Sequence, residues 1–155
     1  MSKKINYRIG IAVLILVAIY FALDGIEKNK NLESTQNNQI QQDVRGLAII
    51  EHAYKNKLES IQVQSVGTVK VLLPDDNKGS RHQKFILELD NGQTVLVAHN
   101  IDLAPRIPNL SRGDRVDFYG EYEYSSKGGV IHWTHHDSKG SHIDGWLKHN
   151  NLIYK

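Results

Sequence analysis

The 155-residue chain has no cysteine. That excludes disulfides, a thiol nucleophile, a thiolate metal site and a lipid-modified N-terminal cysteine. There is no glycine-rich phosphate loop, no GxSxG elbow, no dinucleotide fingerprint and no HExxH zinc motif. Proline is confined to Pro74, Pro105 and Pro108. A large charge excess is missing too. The formal net charge is +2, and three of the 19 basic residues, Lys3, Lys4 and Arg8, precede the first apolar run, whereas all 17 acidic residues follow it. The remainder is close to neutral, which disfavours bulk electrostatic binding of nucleic acid.

What is present begins with Ile9 to Leu23, an uncharged and almost wholly apolar stretch behind a basic flank. Fifteen residues is short for a spanning helix and matches a long signal-peptide core. Signal cleavage finds no strong site: Ala22 at −1 puts Tyr20 at −3, where a small residue is wanted, and Gly25 at −1 with Leu23 at −3 is weakly acceptable. The reading is an uncleaved membrane anchor over 1–23, with the basic flank cytoplasmic and the rest in the periplasm or outside. Were the segment cleaved, the protein would be secreted. Residues 24–42 are rich in Asn, Gln, Lys and Glu, lack an apolar period, and read as a polar tether.

Residues 43–155 read as one folded domain. Val44, Leu47, Ile50, Tyr54, Leu58 and Ile61 recur at spacings of three and four, predicting an amphipathic helix capped by Asp43. From Ile61 the period becomes two. Strands are expected through Val69, Val71 and Leu73 up to Pro74, over His82–Leu89, over Gln93–His99, over Arg115–Tyr124 and over Val130–Asp137. Val116, Phe118 and Tyr122 share the inner face of the fourth. The helix, three-stranded meander and final hairpin predict a mainly β fold: a small five-stranded OB-like Greek-key barrel with an N-terminal helix, preceded by the anchor.

Histidine is abundant, with eight residues, five of them at or after His132. A two-residue Asn91-Gly92 turn would pair Leu87 with Leu96, Phe85 with Ala98 and Lys84 with His99. His82, Lys84 and His99 would then point away from the core. With Ile131 and Trp133 inward, His132, Thr134 and His136 point outward. In an OB barrel the fifth strand lies beside the third, which brings these rows together on the usual ligand face. Imidazoles supply acid, base or metal ligation near neutral pH. Asn100, Asp102 and Arg106 lie just beyond His99 and offer a hydrogen-bond donor, an orienting carboxylate and an anion clamp. Tyr119, on the outward parity of the fourth strand, is a candidate for stacking. A zinc or other divalent-metal site would need cross-strand partners such as His99 and His132.

The strings LPDDNKGSRHQKFIL, AHNIDLAPR, GDRVDFYGEYEY and GGVIHWTHHD, followed by GWL and a late tyrosine, resemble a bacterial family of short exported proteins catalogued only as a domain of unknown function. The resemblance spans Val66 to Tyr154. It implies a unit built around HQKF, HNIDLAPR and HWTHHD and brings no activity. Ser138 stands where that family usually has proline.

Three functions fit these residues. The leading one is a membrane-tethered binding module that takes a small polar or anionic ligand, such as an oligonucleotide or glycan fragment, at His82, Lys84, Asn100, Tyr119, Thr134 and His136. The second is a histidine- or metal-dependent hydrolase, a phosphodiesterase or nuclease, using His99, His132, Asp102 and Arg106. The third is a structural or interaction domain.

Overall fold

A computed structural model describes residues 2–155, with side-chain surroundings at 10–14 and 16–155. The elements are one helix, α1 (Ser2–Asn56), and seven strands: β1 (Ile61–Asp76), β2 (His82–Glu88), β3 (Thr94–Asn100), β4 (Arg115–Glu123), β5 (Val130–His132), β6 (Trp146–His149) and β7 (Leu152–Tyr154). The chain divides into two compact units, Met1–Ile40 and Gln41–Lys155.

In the first unit the helix carries the apolar run, exposed throughout its described positions. By length and composition it is long and apolar enough to cross a membrane, as an anchor or a signal sequence would be. Residues 24–42, expected as an irregular tether, are helical and mostly exposed. Asp43 accordingly sits within the helix instead of capping it. Residues without an apolar stripe can still be helical when they are good helix formers, as Gln, Glu and Lys are.

In the second unit the predicted stripe packs against the sheet. Ile50 and Ala53 are buried, Leu47, Tyr54 and Leu58 are partly so, and Val44 is exposed. Gly46 permits the approach: a Cβ there would overlap the Gln64 carbonyl of β1.

The strands form one sheet. β1 pairs antiparallel with β2 through its second half and with β4 through its first half. β2 pairs antiparallel with β3, β3 parallel with β5, and β5 antiparallel with β4. The pairings therefore run β1-β2-β3-β5-β4 and return to β1, a partial ring. Phe85, Leu87, Val95, Val97, Val116, Phe118, Tyr122, Ile131 and Leu147 fill its inside. Seven strands replace the expected five because the C-terminal segment contributes β6 on β4 and then β7 on β6. Asn150 and Asn151, with φ of 49° and 63°, make the two-residue turn between them. β1 continues past Pro74, which falls inside the irregularity between Leu73 and Asp76 where a missing N–H is tolerated. An earlier irregularity, between Val69 and Val71, turns Val71 outward, against the simple alternation expected.

The close approach at Gly46 generates a prediction. Gly46→Ala should lower the unfolding free energy by about 3 kcal/mol through overpacking against backbone that cannot retreat. Gly25→Ala, whose added methyl meets nothing within 4 Å beyond its own stretch of helix, should not lower it. Urea titration of both variants checks this.

Candidate functional site

The hairpin between β2 and β3 decides which histidines reach solvent. Its loop has three residues, not two: Gly92 N–H donates to Leu89 O at 2.8 Å and Leu89 N–H to Gln93 O at 2.8 Å, with Gly92 at φ 82°. This is a tight turn followed by a left-handed glycine. The register is therefore shifted by one from the expected pairing, giving Leu87↔Val95, Phe85↔Val97 and Gln83↔His99. The side chains of β3 accordingly exchange faces. Leu96 and Ala98 turn away from the interior, and His99 turns in, fully buried.

His99 is held at both nitrogens. Thr134 Oγ1 donates to Nδ1 at 2.9 Å, and Nε2–H donates to the Pro105 carbonyl at 3.1 Å. Burial is the main influence on its pKa, which falls from 6.5 to about 4, so the ring is neutral. It bridges β3, the segment after β5 and the 101–107 loop. A neutral ring with both nitrogens engaged pins structure and is not poised to transfer a proton.

The fifth strand is also shorter than expected. Trp133 takes φ 51°, which ends β5 at His132 and reverses the alternation. Thr134 and His135 become buried, Trp133 is partly exposed, and His136 is exposed. A cavity of about 190 Å3 opens beside this break, lined by His82, Ala98, Asn100, Leu103, His132, Trp133 and His135. His82 and Asn100 are register partners across β2 and β3, and His132 arrives from β5.

Behind His132 lie Glu121 and Glu123 on the outward side of β4. His132 Nε2 stands 3.5 Å from Glu121 Oε1 and 3.6 Å from Glu123 Oε1. Glu121 Oε2 accepts a hydrogen bond of 2.5 Å from His142 Nε2, while His142 Nδ1 donates to the Ile143 carbonyl at 2.8 Å. Burial alone would discharge His142. The Ile143 carbonyl, the Glu121 hydrogen bond and the nearby carboxylate charges outweigh burial and raise its pKa. Glu121 shows the converse: burial pushes its pKa up, and the His142 bond together with the adjoining groups brings it below the ordinary carboxylate value. The His142 ring stacks on Trp133 at 4.2 Å and 6°. The loop carrying it is organised by two carboxylates. Asp137 accepts from the backbone N–H of Lys139, Ser141 and His142, which lowers its pKa, and Asp144 accepts from Asp137 N–H and His136 Nδ1.

Of the residues singled out from sequence, His82, Asn100 and His132 meet in one cavity. Thr134 lies buried against His99 and not on the outer face. Lys84 and Arg106 line a different cavity of about 420 Å3, where Arg106 pairs with Asp75. Asp102 accepts from Arg81 through both its backbone N–H and its Nε, each at 2.7 Å. His136 is turned to Asp144, and Tyr119 packs near Trp146 with ring centroids 6.2 Å apart. The expected common face of His82, His99, His132 and His136 is thus replaced by a smaller group, because the turn shifts β3 by one residue and Trp133 breaks β5. Sequence reasoning passed over His135, His142, Glu121 and Glu123. The signal for the glutamates was available: both share the outward parity assigned to Tyr119, with Glu121 across from His132 and Glu123 across from Val130.

Residues 32–155 match the family described as Protein of unknown function (DUF3465). No curated protein matches the chain.

The buried neutral His99 sets a pH dependence. Its folded-state pKa lies below its ordinary value, so the unfolded chain binds the proton more readily. The stability it confers is complete above pH 6.5 and is lost as pH falls to about 4. This one group should account for about 3 kcal/mol of acid destabilisation. His99→Gln should be less stable at pH 7 and should lose that part of the slope, as read by urea unfolding at pH 7 and pH 4. An unchanged slope would contradict the assignment.

Proposed function

The chain belongs to the DUF3465 family, and on that premise we propose that it is a membrane-tethered binding module that takes a small polar or anionic ligand in the cavity between β2, β3 and the end of β5. The observation that carries this reading is the convergence of His82, Asn100, His132 and His135 from three separate segments on one cavity of about 190 Å3. Imidazoles and an amide offer donors and acceptors without fixed charge, which suits hydroxyl and phosphate oxygens. Drug-sized sites run to roughly 300–1,000 Å3, so this cavity takes one sugar or one nucleotide head group at a time. The returning pairing order with parallel β3 and β5 supports an OB-like barrel, whose ligands lie on the face of the second and third strands. The apolar N-terminal helix behind Lys3, Lys4 and Arg8 supports an anchor with the β domain on the periplasmic side. The hydrolytic alternative needs a proton-transfer group other than His99, whose ring is neutral and bonded at both ends.

NMR titration of the full-length chain in detergent with a thymidine dinucleotide and with cellobiose tests the reading. Saturable shifts at His82, Asn100 and Trp133 are expected for one of the two. The double variant His82→Ala, Asn100→Ala should weaken that binding at least tenfold while its melting temperature stays within a few degrees. Absence of saturable shifts with both probes, or undiminished binding by the variant, would remove the proposal.

A further inference from the structure

We propose that Glu121, Glu123 and His132 form a binding site for one divalent transition-metal ion of the zinc class, on the outer side of β4 and β5. This inference does not rest on the ligand cavity, although His132 borders both. The three residues each offer one ligand atom, and these atoms all lie within 4.8 Å of one another. Their spacing is informative. At 3.5 and 3.6 Å, His132 Nε2 is too far from the carboxylate oxygens for good hydrogen bonds. Two donors each about 2.0–2.1 Å from a tetrahedral zinc ion stand about 3.4 Å apart. The gap fits a shared ion.

A second observation points the same way. His132 Nε2 is inaccessible to solvent and makes no hydrogen bond, although it faces two carboxylates. A buried ring nitrogen without a partner is costly, and a metal ion would satisfy it. Among the described residues neither glutamate is paired with lysine or arginine, so no fixed cation of that kind competes. Ser60 reaches Glu123 Oε1 at 3.4 Å, a long contact an ion can displace. Glu121 is oriented from behind: His142 binds Oε2 and leaves Oε1 toward His132. Metal-ligating carboxylates are typically held by such an outer hydrogen bond. The mixed imidazole and carboxylate set suits zinc or manganese better than calcium, which prefers oxygen alone.

The test is calorimetric titration of the full-length chain, stripped with chelator and held in detergent, with Zn2+, Mn2+ and Ca2+ as separate probes. One equivalent of Zn2+ should bind saturably and raise the melting temperature, with Ca2+ at least tenfold weaker. Glu123→Gln, nearly isosteric and free of the His142 bond, should lose at least tenfold in Zn2+ affinity with its metal-free melting temperature maintained. His136→Ala should bind as the parent does. Loss of Zn2+ binding in His136→Ala, or full retention in Glu123→Gln, would assign the ion to other histidines and overturn the proposal, as would failure of both Zn2+ and Mn2+ to bind. The double variant His82→Ala, Asn100→Ala should retain the ion, so a failed ligand cavity and a failed metal site give different results.

Discussion

One backbone hydrogen bond, Gly92 N–H to the Leu89 carbonyl, governs what this domain can present to solvent. It closes a three-residue loop, and the left-handed Gly92 completes the reversal. Side chains alternate along a strand, so the loop length decides whether His99 or Ala98 faces inward. With His99 inside, the ring must find two hydrogen-bond partners in the interior. It takes Thr134 and the Pro105 carbonyl, and thereby ties together segments that the sheet alone would leave to turn and loop chemistry. The polar ladder between Gln83 and Ile107, 2.9 and 3.0 Å in its two directions, anchors the same loop from the strand opposite, where Gln83 is the register partner of His99. A polar pair of neighbours on β2 and β3 therefore does inside the fold what apolar residues do elsewhere.

Much of the architecture was legible. The change of period at Ile61, the inward row of Val116, Phe118 and Tyr122, the β3–β5 adjacency and the helical stripe of Leu47, Ile50 and Tyr54 all appear as the pattern implies. What was not legible turned on single backbone conformations. Asn91-Gly92 serves both two- and three-residue hairpin loops, and the dipeptide alone does not distinguish them. Trp133 at positive φ is unusual for a bulky side chain and leaves no compositional mark. The irregularity between Val69 and Val71 likewise changes side-chain parity without a residue that announces it.

The histidines illustrate how burial sorts one residue type into different chemistry. His99 is neutral and structural. His142, close to carboxylates and a carbonyl, favours its charged form. His149 is buried against Asp114 at 3.0 Å, near the turn that leads into β4, and His136 is exposed against Asp144 at 2.6 Å. Counting imidazoles in the sequence therefore overstates the number free to meet a ligand. Those bordering the open cavity are His82, His132 and His135, and their grouping follows from three strands ending at one side of the sheet.

The parallel contact of His142 with Trp133, 4.2 Å between ring centroids, has an optical side. An imidazole lying flat against an indole, the more so when protonated, draws charge from its excited state and dims the emission. Trp146, whose neighbour is Tyr119 at 6.2 Å, has no such companion. Trp133 should therefore be the dark indole and Trp146 the bright one. Any event that pulls the 137–144 loop off β4 would unmask the dark one, so the loop's position is written into the protein's own light.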